Sequence, residues 1–273
     1  MKIRVRLIIY FALLIIAVYL MVVIFNLQKR STNAPTRDYQ EIINSGNLNV
    51  VTDYNSFGYF VSGDTIDGFQ YEMIKRLEND WGIKVNIFLE NRLDDNLYGL
   101  NKGVYDIVAR NIPINSELKE NFGFTQVIVR NKQVLVQRKP EYNDSIPPIR
   151  QHLDLAKKQI TVSENSPAIL RLQNLSDEIG DTIFVKQNPT YGEEQLVMMV
   201  ASGDIDYTVC SEIVARNLAK EFPEIDIDTD ISFTQLESWA VRKESPTLLD
   251  SLNNWLSKLV NSEEFNKKLK EFE

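Results

Sequence analysis

Cysteine and histidine are almost missing from this sequence: one of each, Cys210 and His152, in 273 residues. A single cysteine excludes an internal disulfide. It also lies far from the N-terminus, which excludes the processing site of a lipoprotein. A single histidine leaves little for a metal centre or a hydrolase triad, and His152 sits in "IRQHLDLAKK", a polar loop or helix face to which no role is assigned. Without a histidine beside it in sequence, Cys210 reads as a buried structural thiol in an apolar strand rather than a nucleophile. The acidic run Glu224–Asp230 alternates with isoleucine and has no glycine turn with calcium-ligand spacing, so it is predicted to be a strand with one wet face. Neither metal nor cofactor is expected.

Long apolar runs are also scarce, with one exception. Leu7 to Phe25 is about 19 residues without charge or proline, enough at ~1.5 Å per residue to cross a bilayer core. Lys2, Arg4 and Arg6 precede it and predict a cytoplasmic N-terminus, although Lys29 and Arg30 follow. A cleaved signal peptide is the rival. The length of the run and the lack of a small-x-small cleavage site favour an uncleaved, single-pass anchor in the cytoplasmic (inner) membrane, with the rest of the chain in the periplasm or extracytoplasmic space. The chain carries 30 basic and 38 acidic residues, and residues 1–30 hold five of the basic ones and no acid. The part beyond the anchor is thus strongly acidic, which argues against nucleic acid and against broad contact with anionic lipid.

What remains alternates between strands and helices. After a polar, proline-containing tether comes a short helix, Asp38–Ser45, ending at Gly46. Strands are predicted at Leu48–Thr52, Lys84–Leu89 and Tyr105–Ala109. Helices are predicted after Asp67, capped through Gln70 and ended by Gly82, and at Leu93–Asn101. The pattern restarts beyond Lys139. It gives strands at Gln159–Ser163, Thr182–Lys186 and Asp206–Cys210, with helices at Pro167–Leu175 and after a Thr190–Glu193 capping box. A last helix is predicted over Ser245–Glu273. This alternation predicts mostly parallel sheets covered by helices. "LNKGVYDIVARN" and "VASGDIDYTVCS" share one shape: Gly103 and Asp106 correspond to Gly203 and Asp206. Two α/β units with matching strand ends predict two lobes, and ligands in open parallel sheets sit beyond the carboxyl ends of the strands. Arg110–Asn111 and Cys210–Ser211 occupy those ends.

These segments resemble the family 3 extracellular solute-binding proteins. "LNVVTD" is similar to the family's first strand, "DGFQYEMIKRL" to its Gly-Phe-x-x-Asp/Glu-Leu helix start, and "YDIVARNIPINSEL" to the strand and loop that usually end in Thr-Pro-Glu-Arg. "SWAVRKESPTLLDSLNNWL" is similar to the return strand and final helix. "QVLVQRK", "GDIDYTV" and "WAVRK" bring it nearest to the sensor module of membrane-bound lytic transglycosylase F, without the transglycosylase domain. The resemblance covers residues 47–272. It implies an α/β, periplasmic-binding-protein-like type II fold, two lobes joined by a two-strand hinge and preceded by a transmembrane helix. The crossings would lie near Ile128–Lys132 and Glu237–Ala240. The expected organisation is 1–26 stub and anchor, 27–46 tether, 47–130 plus 240–273 first lobe, and 131–239 second lobe.

The resemblance also implies where a ligand would sit. Asp53, Tyr54, Asn55 and Ser56 follow the first strand, where the family builds one wall of its pocket. Ser166 matches a serine that contacts ligand, and also stands where it would cap the helix at Pro167. The family's carboxylate-binding arginine is replaced by Leu118, its ammonium-binding aspartate by Ser211 with Glu212 beside it, and its Tyr-rich segment by Gln126–Val129. Arg110 stands either as a substitute anion fork or as an ion-pair partner of an acid such as Asp53. Asn111 offers donor and acceptor to a ligand, or fixes its loop. Asn115 completes the candidate contacts. The implied function is a non-enzymatic module binding a small polar ligand (amino acid, peptide or cell-wall fragment) for an ABC permease or a cell-wall enzyme acting in trans. Two alternatives remain open: a cleft enzyme of dehydratase type using Glu212 or Asp53, and a degenerate lobe pair that binds a protein.

Overall fold

The computed structural model describes residues 37–164 and 166–272. The expected anchor at 7–25 and most of the tether lie outside the described residues. Among the described residues no helix is long and apolar enough to cross a membrane.

The described chain enters through α1 (Tyr39–Ser45). The Asp38 carboxylate accepts the Tyr39 N–H at 2.9 Å and Glu41 accepts the Asp38 N–H at 3.2 Å, while Gly46 ends the helix at φ 66°. Then follow β1 (Asn47–Thr52), the hairpin of β2 (Phe60–Ser62) and β3 (Thr65–Asp67), α2 (Phe69–Trp81), β4 (Lys84–Leu89), α3 (Leu93–Asn101), β5 (Ile107–Pro113), α4 (Ser116–Asn121), β6 (Phe122–Phe124) and β7 (Val129–Asn131). The chain next builds β8 (Gln133–Arg138), β9 (Gln159–Ser163), α5 (Ala168–Ile179), β10 (Phe184–Asn188), α6 (Glu193–Ser202), β11 (Thr208–Ser211), α7 (Glu212–Glu221) and β12 (Ile225–Asp230). It returns through β13 (Gln235–Arg242), α8 (Pro246–Leu259) and α9 (Glu263–Phe272). The expected single C-terminal helix is two helices, broken between Leu259 and Glu263.

Two sheets result. The first runs β4-β1-β5-β13-β6 with β7 also on β13; the second runs β10-β9-β11-β8-β12. In each, three neighbouring strands are parallel, and the strands that return from the other lobe are antiparallel. The apolar runs read as they do because both faces of each sheet are covered. Val50, Ile107 and Ala109 pack into one cluster with Phe69, Ile74 and Trp239. Their chain neighbours Val51 and Val108 pack on the opposite face with Leu97, Leu100 and Ala240. The second sheet divides likewise, with Val134, Val136 and Cys210 on one side and Leu135, Ile160 and Val209 on the other.

The chain passes between the sheets twice. The first passage is at Lys132, between β7 and β8, as expected. The second lies between Asp230 and Gln235, not at Glu237–Ala240; those residues are inside β13, paired with β5 of the first sheet. The alternation that continues through "QLESWAVR" is the reason: β13 is a long strand whose first residues already pair with β7. The passages are tied to each other, since the Gln133 carbonyl accepts the N–H groups of Ile231 and Ser232, and Ser232 Oγ accepts the Gln133 N–H at 2.9 Å.

Candidate functional site

A cavity of about 560 Å³ lies between the lobes. From the first lobe come the segment after β1, the middle of β5 and the hinge residues Asn131 and Glu237. From the second come the segment after β9, the loop from Asn188 into α6, and Ser211 at the end of β11. The segments after β1 and β9, the end of β10 at Asn188 and the end of β11 are carboxyl ends of parallel strands, where the α/β architecture leaves a crevice.

The first wall is held by Asn55 and Gln70. Asn55 Oδ1 accepts the N–H groups of Phe57 (3.0 Å) and Gly58 (2.5 Å), an Asx turn that folds the loop back on itself. The start of α2 presses against this loop: a Cβ at Gly68 (φ 127°) would stand 2.4 Å from the Gly58 carbonyl oxygen, so only glycine fits. Gln70 does not cap α2 as its spacing predicts. It is buried, accepts Trp239 Nε1–H at 2.7 Å and donates to Asn111 Oδ1 at 2.8 Å.

Arg110 and Asn111 do not end β5, which continues to Pro113. They sit at a bulge: Val108 pairs with Ala240 and Ile112 with Ser238, so three β5 residues face one on β13. A bulge re-aims side chains that a regular strand would alternate, and both residues line the cavity. Arg110 pairs with Asp53 at 3.1 Å, and donates to the Asn91 carbonyl at 2.9 Å and to Asn96 Oδ1 at 3.1 Å. Ion pairing with Asp53 is therefore the state of this guanidinium, and its donors are directed at protein groups.

On the second wall, Ser166 is buried and its Oγ accepts the Ala168 N–H at 3.3 Å, at the start of α5. Ser211 Oγ accepts from Asn131 Nδ2 at 2.7 Å, across the hinge. Gln133 is 5% exposed, lines the cavity, and its Oε1 has no partner.

Of the ten candidate contacts, Asp53, Tyr54, Asn55, Arg110, Asn111, Ser166 and Ser211 line this cavity. Three stand outside its lining. Asn115 caps α4 by accepting the Leu118 N–H at 2.8 Å. Glu212 is held by Arg216 at 2.6 Å and Lys132 at 3.7 Å. Ser56 has a buried hydroxyl without a partner, and its backbone N–H donates to Glu194 Oε1 at 2.7 Å. Leu118 packs beside the apolar cluster of α3 and β5.

Apart from Asp53, the acids of the cavity are what sequence reasoning missed. Asp53, Asp94, Glu164, Glu193, Glu194 and Glu237 line the cavity against two cations, Arg92 and Arg110. Glu193 and Glu194 look in sequence like ordinary first-turn helix acids, and Glu237 like the polar phase of a strand. Glu237 is 3% exposed, and Asn131 Nδ2 donates to it at 3.4 Å from each oxygen. Burial, reinforced by Glu193 and Asp53 and opposed by Asn131 and Arg110, pushes its carboxyl up to about 8. Enclosure between the lobes also raises Glu193. Burial raises the Cys210 thiol well above the ordinary range, as fits a structural residue. Among the described residues no group of three or more His, Cys, Asp or Glu is arranged to hold a metal ion.

The family model for bacterial extracellular solute-binding proteins, family 3, matches residues 48–272. Similar curated proteins include membrane-bound lytic murein transglycosylase F of Aeromonas salmonicida (strain A449), 27% identical over 209 residues, covering 77% of this chain and 41% of that protein. The protein of the same name from Haemophilus influenzae (strain PittGG) is 26% identical over 221 residues, covering 79% and 44%. The chain thus spans about two fifths of the length of these relatives. Among solved structures, the ancestral amino acid-binding protein AncCDT-1, a precursor of cyclohexadienyl dehydratase, superposes with a TM-score of 0.73 at 22% identity, covering 85% of this chain and 98% of its own. A mutant of ArgBP from T. maritima gives 0.71 at 22% identity, covering 85% and 97%. At this identity the likeness is one of fold.

Proposed function

The chain belongs to the bacterial extracellular solute-binding proteins of family 3, and from that premise we propose that it closes two lobes on a small polar solute. The observation that carries this reading is the cavity itself, to which both lobes contribute polar side chains, Asn111 and Glu237 from one and Ser166 and Ser211 from the other. A solute touching both walls favours the closed arrangement by its extra affinity for it, and binding becomes a change of shape. In this reading the first lobe is residues 47–130 plus 240–273, with the hinge-proximal part of β13 joined to it, and residues 7–25 hold the module at the outer face of the cytoplasmic membrane. The output is regulation of a cell-wall enzyme acting in trans, or delivery to an ABC permease. The names of the curated relatives support the first.

A second reading takes support from Glu237: a buried carboxyl raised to about 8 in a cleft is a candidate general acid, as in a dehydratase-type enzyme. Glu212 is less suited to that part, being ion-paired outside the lining. One experiment separates the readings. Amino acids, short peptides and muropeptide fragments are screened by thermal shift, and each stabilising solute is incubated with the protein and analysed for products. A raised melting point with solute recovered intact supports the receptor; turnover moves the case to the enzyme; no shift with any member counts against both.

A further inference from the structure

The polar lining of the cavity is unbalanced in charge, and the imbalance has a direction. Six acidic side chains face two arginines, and the described lining contains no lysine or histidine. Both arginines are engaged. Arg110 spends its donors on Asp53, Asn91 and Asn96. Arg92 pairs with Asp95 at 3.2 Å and with Glu164 at 3.6 Å. A ligand carboxylate needs a guanidinium fork or a set of backbone donors to offset its desolvation. Here it would arrive beside Asp53, Glu193 and Glu237 with neither guanidinium unengaged.

The same groups suit a cation. Glu193 and Glu237 interact with each other and with Asp53, so the three form one electrostatic neighbourhood. A second observation is independent of charge. Gln133, itself buried, is part of the lining, and its Oε1 is an acceptor with no donor among the described residues, a state that favours a donor-bearing ligand. An ammonium group carries three donors and no acceptor, which is the complement of this set.

We propose that the cavity takes an organic amine cation without a carboxylate, of the aliphatic di- or polyamine class, with an ammonium group seated among Asp53, Glu193, Glu237 and Gln133. The proposal rests on the solute-binding reading and narrows it to one chemistry. It has a proton signature. Asn131, Glu193, Asp53 and Arg110 are the groups that face Glu237, and Asn131 and Arg110 alone oppose its protonation. Seating an ammonium group there favours the ionised form, so binding releases a proton to the buffer.

The test is calorimetric titration of the full chain with putrescine and spermidine, and in parallel with L-arginine, L-glutamate and N-acetylglucosamine. Titrations are run at about pH 7 in two buffers of different ionisation enthalpy, which reads out protons released. Putrescine or spermidine is expected to bind, with proton release, and the affinity to fall ~10-fold or more in Glu237→Gln and in Glu193→Gln, since each removes a partner of a desolvated charge. The amide variants keep the shape and mimic the protonated side chains, and circular dichroism checks that they fold. Tighter binding of L-glutamate, L-arginine or the sugar, or amine binding untouched by both substitutions, overturns the amine assignment while leaving the receptor reading intact. Silence from all five solutes, together with no thermal shift across the wider panel, overturns both.

Discussion

Glu194 Oε1, in the first turn of α6, accepts the backbone N–H of Ser56 at 2.7 Å. The two residues belong to opposite lobes, so this hydrogen bond fastens one wall of the cavity to the other. The Asn217 side chain of α7 adds a second tie by donating to the Phe272 carbonyl of α9 at 2.8 Å, and α9 itself packs Phe265 and Phe272 on Phe69.

Glu194→Ala is therefore expected to loosen closure without unfolding the protein. A hydrogen bond to a charged acceptor contributes about 1.5–3 kcal/mol, enough to shift an open–closed equilibrium ~10-fold or more toward open. Small-angle scattering should show a larger radius of gyration for the variant in the absence of ligand. Identical scattering curves, with normal melting, would remove Glu194 from any part in closure.

Glu237 predicts a pH dependence. Its folded-state carboxyl titrates near 8, against an ordinary value of 4.5, because burial disfavours the charge. The unfolded chain thus gives up this proton at lower pH than the native state does. The stabilisation is fully present below about pH 4.5 and is lost as pH rises through about 8. The loss is on the order of a few kcal/mol. Melting temperature should fall between about pH 5 and pH 9, and Glu237→Gln should flatten the fall. A wild-type profile as flat as that of the variant would show that this carboxyl is ionised throughout.

Gln70→Ala should be costly for two reasons. It strands Trp239 Nε1, 2.7 Å from the lost acceptor in the core, and it frees Asn111 on the cavity wall. We expect a destabilisation of ~2–3 kcal/mol in urea, a change in tryptophan emission, and weaker solute binding. A variant with wild-type stability would mean that water replaces the amide.

Asp226 and Arg150 give a prediction away from the cavity. Burial would push the Asp226 carboxyl up, but the Arg150 fork, with contacts of 2.6 and 2.5 Å, holds it below the ordinary value. Arg150→Ala leaves the buried carboxylate without its countercharge, with only the neutral donors Gln137 Nε2 and the Asp228 N–H, and should cost about 1–3 kcal/mol, discounted for the exposed flank of Arg150. The wild-type advantage is present above about pH 4 and is lost as pH falls through the lowered folded-state value. Equal stability of the two proteins at neutral pH would deny the fork its role. Asp226 is also where the expectation of a strand with one wet face falls short: it is 7% exposed.

What could be read in the sequence follows what is local. The strand Lys84–Leu89 and the helix Leu93–Asn101 have the bounds their apolar pattern predicts, and Asp38, Glu41 and Gly46 declare α1 through capping chemistry. Thr190 with Glu193 was a false signal of the same kind: α6 begins after Gly192, whose N–H donates to Gln195 Oε1. Asp106, matched to Asp206 by the repeated pattern, has a role that only partly shows in sequence. It accepts the Asn49 N–H at 3.0 Å as a strand-entry acid, yet it also pairs with Arg37 and the buried Arg242. Arg37 is the first described residue and Arg242 the last of β13, both far from Asp106 in sequence, and no local pattern announces them. The cavity acids were hidden for the same reason. Glu193 and Glu237 are 44 positions apart, and only the two passages between the sheets bring them to one face. The bulge at Ala109–Asn111 was invisible too, because it is a property of the pairing with β13 and not of β5 alone.

The central claim is that a solute occupies the space between the lobes. A crystal structure of the protein with the solute that raises its melting point most tests this directly. The account predicts ligand density touching Asn111 and Glu237 on one side and Ser166 and Ser211 on the other; density confined to the outer surface, or a cavity holding only water beside a bound solute elsewhere, would contradict it.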